Sequence, residues 1–235
     1  LLTSGASAGL AAAFNAPLAG VIFALEELHR NFSIMVLLPS MAAAFTATII
    51  SRAIFGRATI FDIPDLQLLP IGYYGIVILV ALASGLAGVI FNWGLLNIGR
   101  FYSLSCFKLP VQKIAFALIC AGILGYFLPE VLGGGNDLIN HLAKAPVSLQ
   151  LLLIFLTGKL IFTLISYGCG VPGGFFLPML VIGALCGSIC AQILIMLGWI
   201  EPAYATNIMV VAMAALFASS VRAPITGTVL IMEMT

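Results

Sequence analysis

Seven apolar stretches, at roughly 5–28, 34–54, 71–99, 111–128, 150–167, 174–198 and 203–235, follow one another along 235 residues with short polar gaps between them. Several reach the ~20 residues with which an α-helix crosses the hydrocarbon core of a bilayer. Lipid offers no hydrogen bonds to an exposed backbone, so each stretch must satisfy its own N–H and C=O groups, as a helix does. The composition agrees: 63% of the residues are hydrophobic and 7% charged, against about one-quarter charged in soluble domains. The expected fold is an all-α polytopic membrane protein.

A net charge of +1, with no basic cluster, excludes nucleic acid as a partner. The five cysteines, Cys106, Cys120, Cys169, Cys186 and Cys190, are odd in number and contain no CxxC pair. They are read as buried thiols rather than a disulfide framework or metal site, although Cys186 and Cys190 share a helix face. The chain opens on Leu1 with no basic leader and closes on "LIMEMT" inside an apolar run, so an internal fragment is expected. Lys and Arg are retained on the cytoplasmic side of short loops. His29 and Arg30 follow Glu27, and the loop after 71–99 carries Arg100, Lys108 and Lys113 without an acid, whereas the intervening loop balances Arg52 and Arg57 with Asp62 and Asp65. The Glu27 end is therefore expected to face the cytoplasm. The Asn31-Phe32-Ser33 sequon then lies on the wrong side to be glycosylated.

An internal repeat is the stronger organising signal. "AAAFNAPLAGVIFALEEL" (11–28) superposes on "ASSVRAPITGTVLIMEMT" (218–235), pairing Ala16 with Ala223, Pro17 with Pro224, Gly20 with Gly227 and Glu26 with Glu233. Repeats in membrane proteins commonly mark transporters or channels whose site lies where the repeats meet. Each copy places Pro inside an apolar run, where it removes a backbone donor and breaks the helix. Each is read as two short helices meeting at Ala-Pro, neither spanning alone. Ser4, Gly5, Ala6, Gly9, Ala11 to Ala13 in one copy, and Ala212, Ala214, Ala215, Ala218, Ser219 and Ser220 in the other, let helices approach closely. The repeat also separates two acids, since Glu26 is matched by Glu233 while Glu27 faces Met234. Glu26 is expected to be supportive. Glu27, an ionisable group at a membrane boundary, is either functional or an interfacial partner of Arg30.

"GCGVPGGFFLPML" (168–180) has too many glycines for a helix and leads into an apolar run. Gly173 and Gly174 hold a loop, and Pro178 fits the first turn of a helix starting near Gly174. The N–H groups and positive dipole end of such a helix form an anion site without a formal charge. The plain alternative is a Gly/Pro connection between two spans.

"GGFFLP" (173–178) fits the GxFxP motif and so resembles the CLC family of chloride channels and proton-coupled chloride transporters. The two repeat copies and "GGGNDLI" (133–139) are similar to further stretches of that family, in its order, over essentially the whole chain. The resemblance implies a CLC-type inverted-repeat fold with broken and re-entrant helices and a homodimer with one anion pathway per subunit. It implies backbone anion ligands at Phe175 and Phe176, shaped by Gly173, Gly174 and Pro178, and a proton-relaying acid at Glu27 with Glu26 in support. The implied activity is exchange of chloride, or a similar small anion, for protons across a bilayer, without a cofactor. The alternative is a passive chloride channel of the same fold. On this reading, residues 1–54 end the first repeat and 71–235 form an incomplete second, all within one transmembrane domain. The short loops suggest a bacterial inner membrane. The family's serine-bearing loop, gating-glutamate loop and C-terminal tyrosine have no counterparts in these 235 residues.

Lys159, inside an apolar span, is assigned to snorkelling or to a helix carbonyl rather than to the anion path. Arg222 is expected to satisfy carbonyls freed at the second break. His29 and His141 fall in loops without a third ligand for a metal. "GASAG" (5–9) matches the nucleophile elbow with Ser7 as nucleophile, which would need a strand-turn-helix setting, a base and an acid. An intramembrane hydrolase is the remote alternative.

Overall fold

A computed structural model describes residues 1–56, 60, 61, 63, 66–103, 109–145 and 147–235. Arg57, Asp62, Asp65, Cys106 and Lys108 lie outside the described residues. The ten α-helices among those described are α1 (Leu2–Phe14), α2 (Pro17–Phe23), α3 (Ile34–Phe55), α4 (Tyr74–Tyr102), α5 (Pro110–Phe127), α6 (Asn136–Lys144), α7 (Leu149–Gly168), α8 (Phe176–Met196), α9 (Ala205–Val221) and α10 (Pro224–Met234). Among the described residues six segments are long and apolar enough to cross a membrane: 34–55, 71–102, 110–127, 149–168, 176–196 and 202–221. The fold is all-α, and the apolar runs predict the long helices α3, α4, α5, α7 and α8 to within a few residues. The chain divides into two compact units, residues 1–63 with 217–235, and residues 64–216.

In the first unit, α1 and α2 meet at the expected break. Asn15 takes the left-handed conformation (φ 52°) and Ala16 an extended one (φ −123°, ψ 79°) ahead of Pro17. α3 reaches the last carbonyls of α1, among them that of Ala11, which already accepts from the Ala16 N–H at 3.1 Å. Thr48 Oγ1 lies 3.5 Å from the Ala11 oxygen, and Ser51 Oγ donates to Ala12 O at 3.3 Å. Arg52 donates through Nε to Asn15 Oδ1 at 2.6 Å and through Nη2 to the Asn15 carbonyl at 3.4 Å. Neighbouring side chains thus supply what water would supply outside a membrane.

The second break repeats the first, with Arg222 at φ 64° and Ala223 at φ −123°, ψ 78° before Pro224. Two expectations need correction here. The segment before this break, 202–221, is 20 residues long and apolar enough to cross alone, because a turn of 3-10 helix at Pro202–Tyr204 extends α9 at its start. The exposed Arg222 makes no side-chain hydrogen bond with a described residue. Its contribution is the left-handed turn, in which its own N–H donates to Ala218 O at 2.9 Å.

The close approach of α1 and α2 falls at Ala11, one of the small residues expected to allow it, rather than at Gly5 or Gly9. Gly5 and Gly9 face open space, whereas a Cβ on Gly20 would stand 2.6 Å from the Ser7 carbonyl oxygen and 3.0 Å from Ala11 Cβ. Ser7, fully buried, lies in the middle of α1 and donates to the Ser40 carbonyl at 3.3 Å. Its helical setting is the opposite of a nucleophile elbow, and its hydroxyl ties α1 to α3.

In the second unit, α8 forms the centre, with Met179 to Leu185 all buried. It packs on α9 through Gly183 and Gly187, where added Cβ atoms would meet the Met213 and Met209 Cα atoms at 2.8 and 2.6 Å. This four-residue spacing of small residues lets helices associate by van der Waals contact where the hydrophobic effect is absent. Tyr102 of α4 donates its hydroxyl to Ile165 O of α7 at 2.9 Å.

Candidate functional site: two glutamates and a helix start

Glu26 and Glu27 lie on residues 24–29, which continue α2 as a π-helical turn. The matching residues 231–234 of the second repeat are ordinary α-helix. Wide turns of this kind commonly mark functional sites. Here the turn coincides with the one acid that the repeat does not duplicate.

The two repeat-matched acids cross over. Both Glu26 carboxylate oxygens accept from the start of α10, at 3.1 Å from Ile225 N and 2.7 Å from Thr226 N, with Thr226 Oγ1 adding a bond of 2.8 Å. Glu233 accepts in the same way from the start of α2, at 3.1 Å from Leu18 N and 2.7 Å from Ala19 N. The first N–H groups of a helix have no partner within it and carry its positive dipole end. Each repeat thus supplies the anion that closes the other's helix. This reciprocity went unforeseen in the sequence, although it had a signal: each Glu follows its Pro by nine residues, two and a half turns.

Glu27 takes no part in the clasp. Its side chain is 29% exposed, and its Oε1 lies 3.9 Å from Arg30 Nη2, whose own side chain is 77% exposed. An exposed pair at that separation contributes little, so Arg30 does not tie the carboxylate down.

In the second unit the glycine loop precedes α8 as expected, but the helix begins two residues later than Gly174. Phe175 is the N-cap (φ −102°, ψ 0°), Phe176 is the first helical residue, and the first i to i+4 bond runs from Met179 N to Phe175 O at 3.0 Å. Pro178, third in the helix, fits the first turn because no intrahelical acceptor awaits an N–H there. In the loop before α8, Gly170 is left-handed (φ 84°), and the Phe175 ring stands edge-on against Tyr167 of α7 at 5.3 Å. Gly173, Gly174, Phe175 and Pro178 line a cavity of about 390 Å3, together with Lys159 and Thr163 of α7.

Lys159 is 1% exposed. Its Nζ donates to Val131 O and Gly133 O, both at 2.8 Å, so it meets carbonyls and does not snorkel. His29 and His141, expected in loops, instead end the π-helical turn at 24–29 and lie in α6, respectively, and both are exposed; no group of three metal-ligating side chains exists among the described residues. Cys120, Cys169, Cys186 and Cys190 are free thiols.

The family model described as voltage gated chloride channel matches residues 1–235. The chain is 37% identical, over its full length, to proteins named H(+)/Cl(-) exchange transporter ClcA from Salmonella agona and Vibrio vulnificus, of which it covers 51%. It thus spans about half the length of these curated relatives. The crystal structure of a slow cyanobacterial Cl-/H+ antiporter superposes with a TM-score of 0.86 at 29% identity, covering 99% of this chain and 55% of that one. The paired Ala-Pro breaks, the glycine loop ahead of α8 and the match over every residue agree, and the chain belongs to the voltage-gated chloride channel (CLC) family.

Proposed function

We propose that the full-length protein exchanges chloride, or a similar small anion, for protons across a membrane. The observation that carries this reading is the start of α8. A glycine loop delivers the Phe175 and Phe176 backbone to a helix N-terminus, and no carboxylate is among the residues lining the adjoining cavity. Backbone dipoles of this kind attract a halide and still release it. Phe175 and Phe176 donate to the anion, while Gly173, Gly174 and Pro178 shape the loop. Glu27 carries the proton, its carboxylate half-buried on a π-helical turn and only loosely held by Arg30. Glu26 supports it by fixing the neighbouring helix start. The relatives' name, H(+)/Cl(-) exchange transporter, favours coupled exchange. The family's description as a channel keeps passive conduction as the second reading.

The remaining assignments follow the family. The protein works as a homodimer in a lipid bilayer, in a bacterial inner membrane, with residues 1–54 closing the first inverted repeat and 71–235 belonging to the second.

The test uses the full-length protein in liposomes, wild type against Glu27→Gln, with an imposed chloride gradient and external pH recorded. Coupled exchange requires uphill proton movement by wild type and chloride flux without protons in the variant. Chloride flux without coupled protons in wild type would make the protein a channel and remove the role given to Glu27.

A further inference from the structure

A cation inside an apolar membrane helix is costly unless something offsets it. Lys159 is buried to 1% exposure and forms no ion pair with any described residue. Its ammonium is met by two carbonyls, Val131 O and Gly133 O, at the end of a 3-10 turn and the start of the Gly133-Gly134-Gly135 run that leads into α6. Charge-assisted hydrogen bonds of this kind are worth more than neutral ones, so the lysine pins the glycine run against α7.

The glycine run in turn rests on the start of α8. A Cβ on Gly134 would lie 3.2 Å from Leu177 Cδ1, and one on Gly135 would lie 2.6 Å from Val181 Cγ2 and 3.3 Å from Lys159 Nζ. Gly135 is also left-handed (φ 87°), a conformation that other residues adopt at a cost. Leu177 is the second residue of α8 and Val181 stands one turn further on. A chain of contacts therefore runs from the Lys159 ammonium, through three glycines, to the helix whose first residues are Phe175 and Phe176.

We infer that Lys159 is a positioning residue for the anion site: by holding the triglycine run against Leu177 and Val181, it sets where the α8 N-terminus points its N–H groups. The inference rests on the proposed anion site at Phe175 and Phe176. Donor groups must be held closely to their working geometry, and supporting residues decide whether they are.

Chloride binding to the full-length protein in detergent, measured by titration calorimetry, tests this with Lys159→Met and Lys159→Arg. Lys159→Met should weaken chloride binding on the order of tenfold, the equivalent of about one charge-assisted hydrogen bond. Lys159→Arg, which keeps the charge and the donors on a bulkier, planar head, should lose less affinity than Lys159→Met. Should Lys159→Met fail to fold, Gly134→Ala presses on Leu177 with the lysine intact, and it too should weaken binding. Unchanged chloride affinity in a folded Lys159→Met protein overturns the inference, whatever happens to its melting temperature. Unchanged affinity in Gly134→Ala overturns it where Lys159→Met cannot be read. Absence of chloride binding by wild type would instead remove the proposed anion site itself.

Discussion

Glu26 and Glu233 each close the first turn of a helix in the other repeat, and the strengths of the two closures can be compared bond for bond. Two backbone bonds are common to both, at 2.7 and 3.1 Å, and Glu26 adds the Thr226 hydroxyl. Replacement by Gln leaves one acceptor oxygen and turns an NH2 toward a backbone N–H. Glu233→Gln should therefore cost about 1–2 kcal/mol, and Glu26→Gln somewhat more. Thermal unfolding in detergent measures both, and in a Thr226→Val background the two costs should become equal. Equal costs without that change would mean that the hydroxyl bond contributes nothing. Glu27, one residue away, should behave differently, since its loose contact with Arg30 gives Glu27→Gln little to destabilise. The contrast separates a carboxylate that holds the fold from one that does not, as the proposed relay requires.

At the level of elements, α8 depends on its small residues. Gly187 brings the α8 backbone against Met209, where an added Cβ would lie 2.6 Å from Cα and 2.7 Å from Ala212 Cβ. A backbone atom cannot swing aside as a side-chain tip can, so Gly187→Val should force the helices apart and cost at least about 1–3 kcal/mol. A cysteine pair placed across α8 and α9 should then crosslink more slowly than in the wild-type background, and an unchanged rate would show that the contact yields. Most elements could be read from the sequence because bilayer thickness sets a length that apolar runs display directly. Helix α6, nine residues with Asn136, Asp137 and Lys144, has no such run and did not register. Nor did the π-helical turn at 24–29, because residues of ordinary helix propensity fill it and its width depends on what the helix packs against. The glycine loop before α8 was legible as a loop, but its end was not: the Phe175 ring meets Tyr167 there, a contact between residues eight apart that composition does not display. The Lys159 clamp was half legible, since burial of an unpaired charge demands carbonyls without saying which.

Across the whole chain, the distribution of charge sets which way the spans run. Between the Glu27 end and Ser103 lie two segments long enough to cross, 34–55 and 71–102, so if both cross, these two points are expected to share a side, with Ile60 opposite. Basic residues decide which side that is. Arg30 follows the first point, and Arg100 and Lys113 flank the second, where no acid offsets them; positive loops stay in the cytoplasm. Single cysteines at Phe32, Ile60 and Ser103, each in a background without native cysteines, report the arrangement through an impermeant thiol reagent added outside intact cells. Phe32→Cys and Ser103→Cys should be protected, and Ile60→Cys should be labelled. The reverse pattern would show an inverted chain and would put Glu27 on the external side, where it could not draw protons from the cytoplasm. Labelling of Phe32→Cys but not Ser103→Cys would show that one of the two intervening segments fails to cross. The proton relay assigned to Glu27 therefore depends on an orientation that this measurement checks without any transport assay.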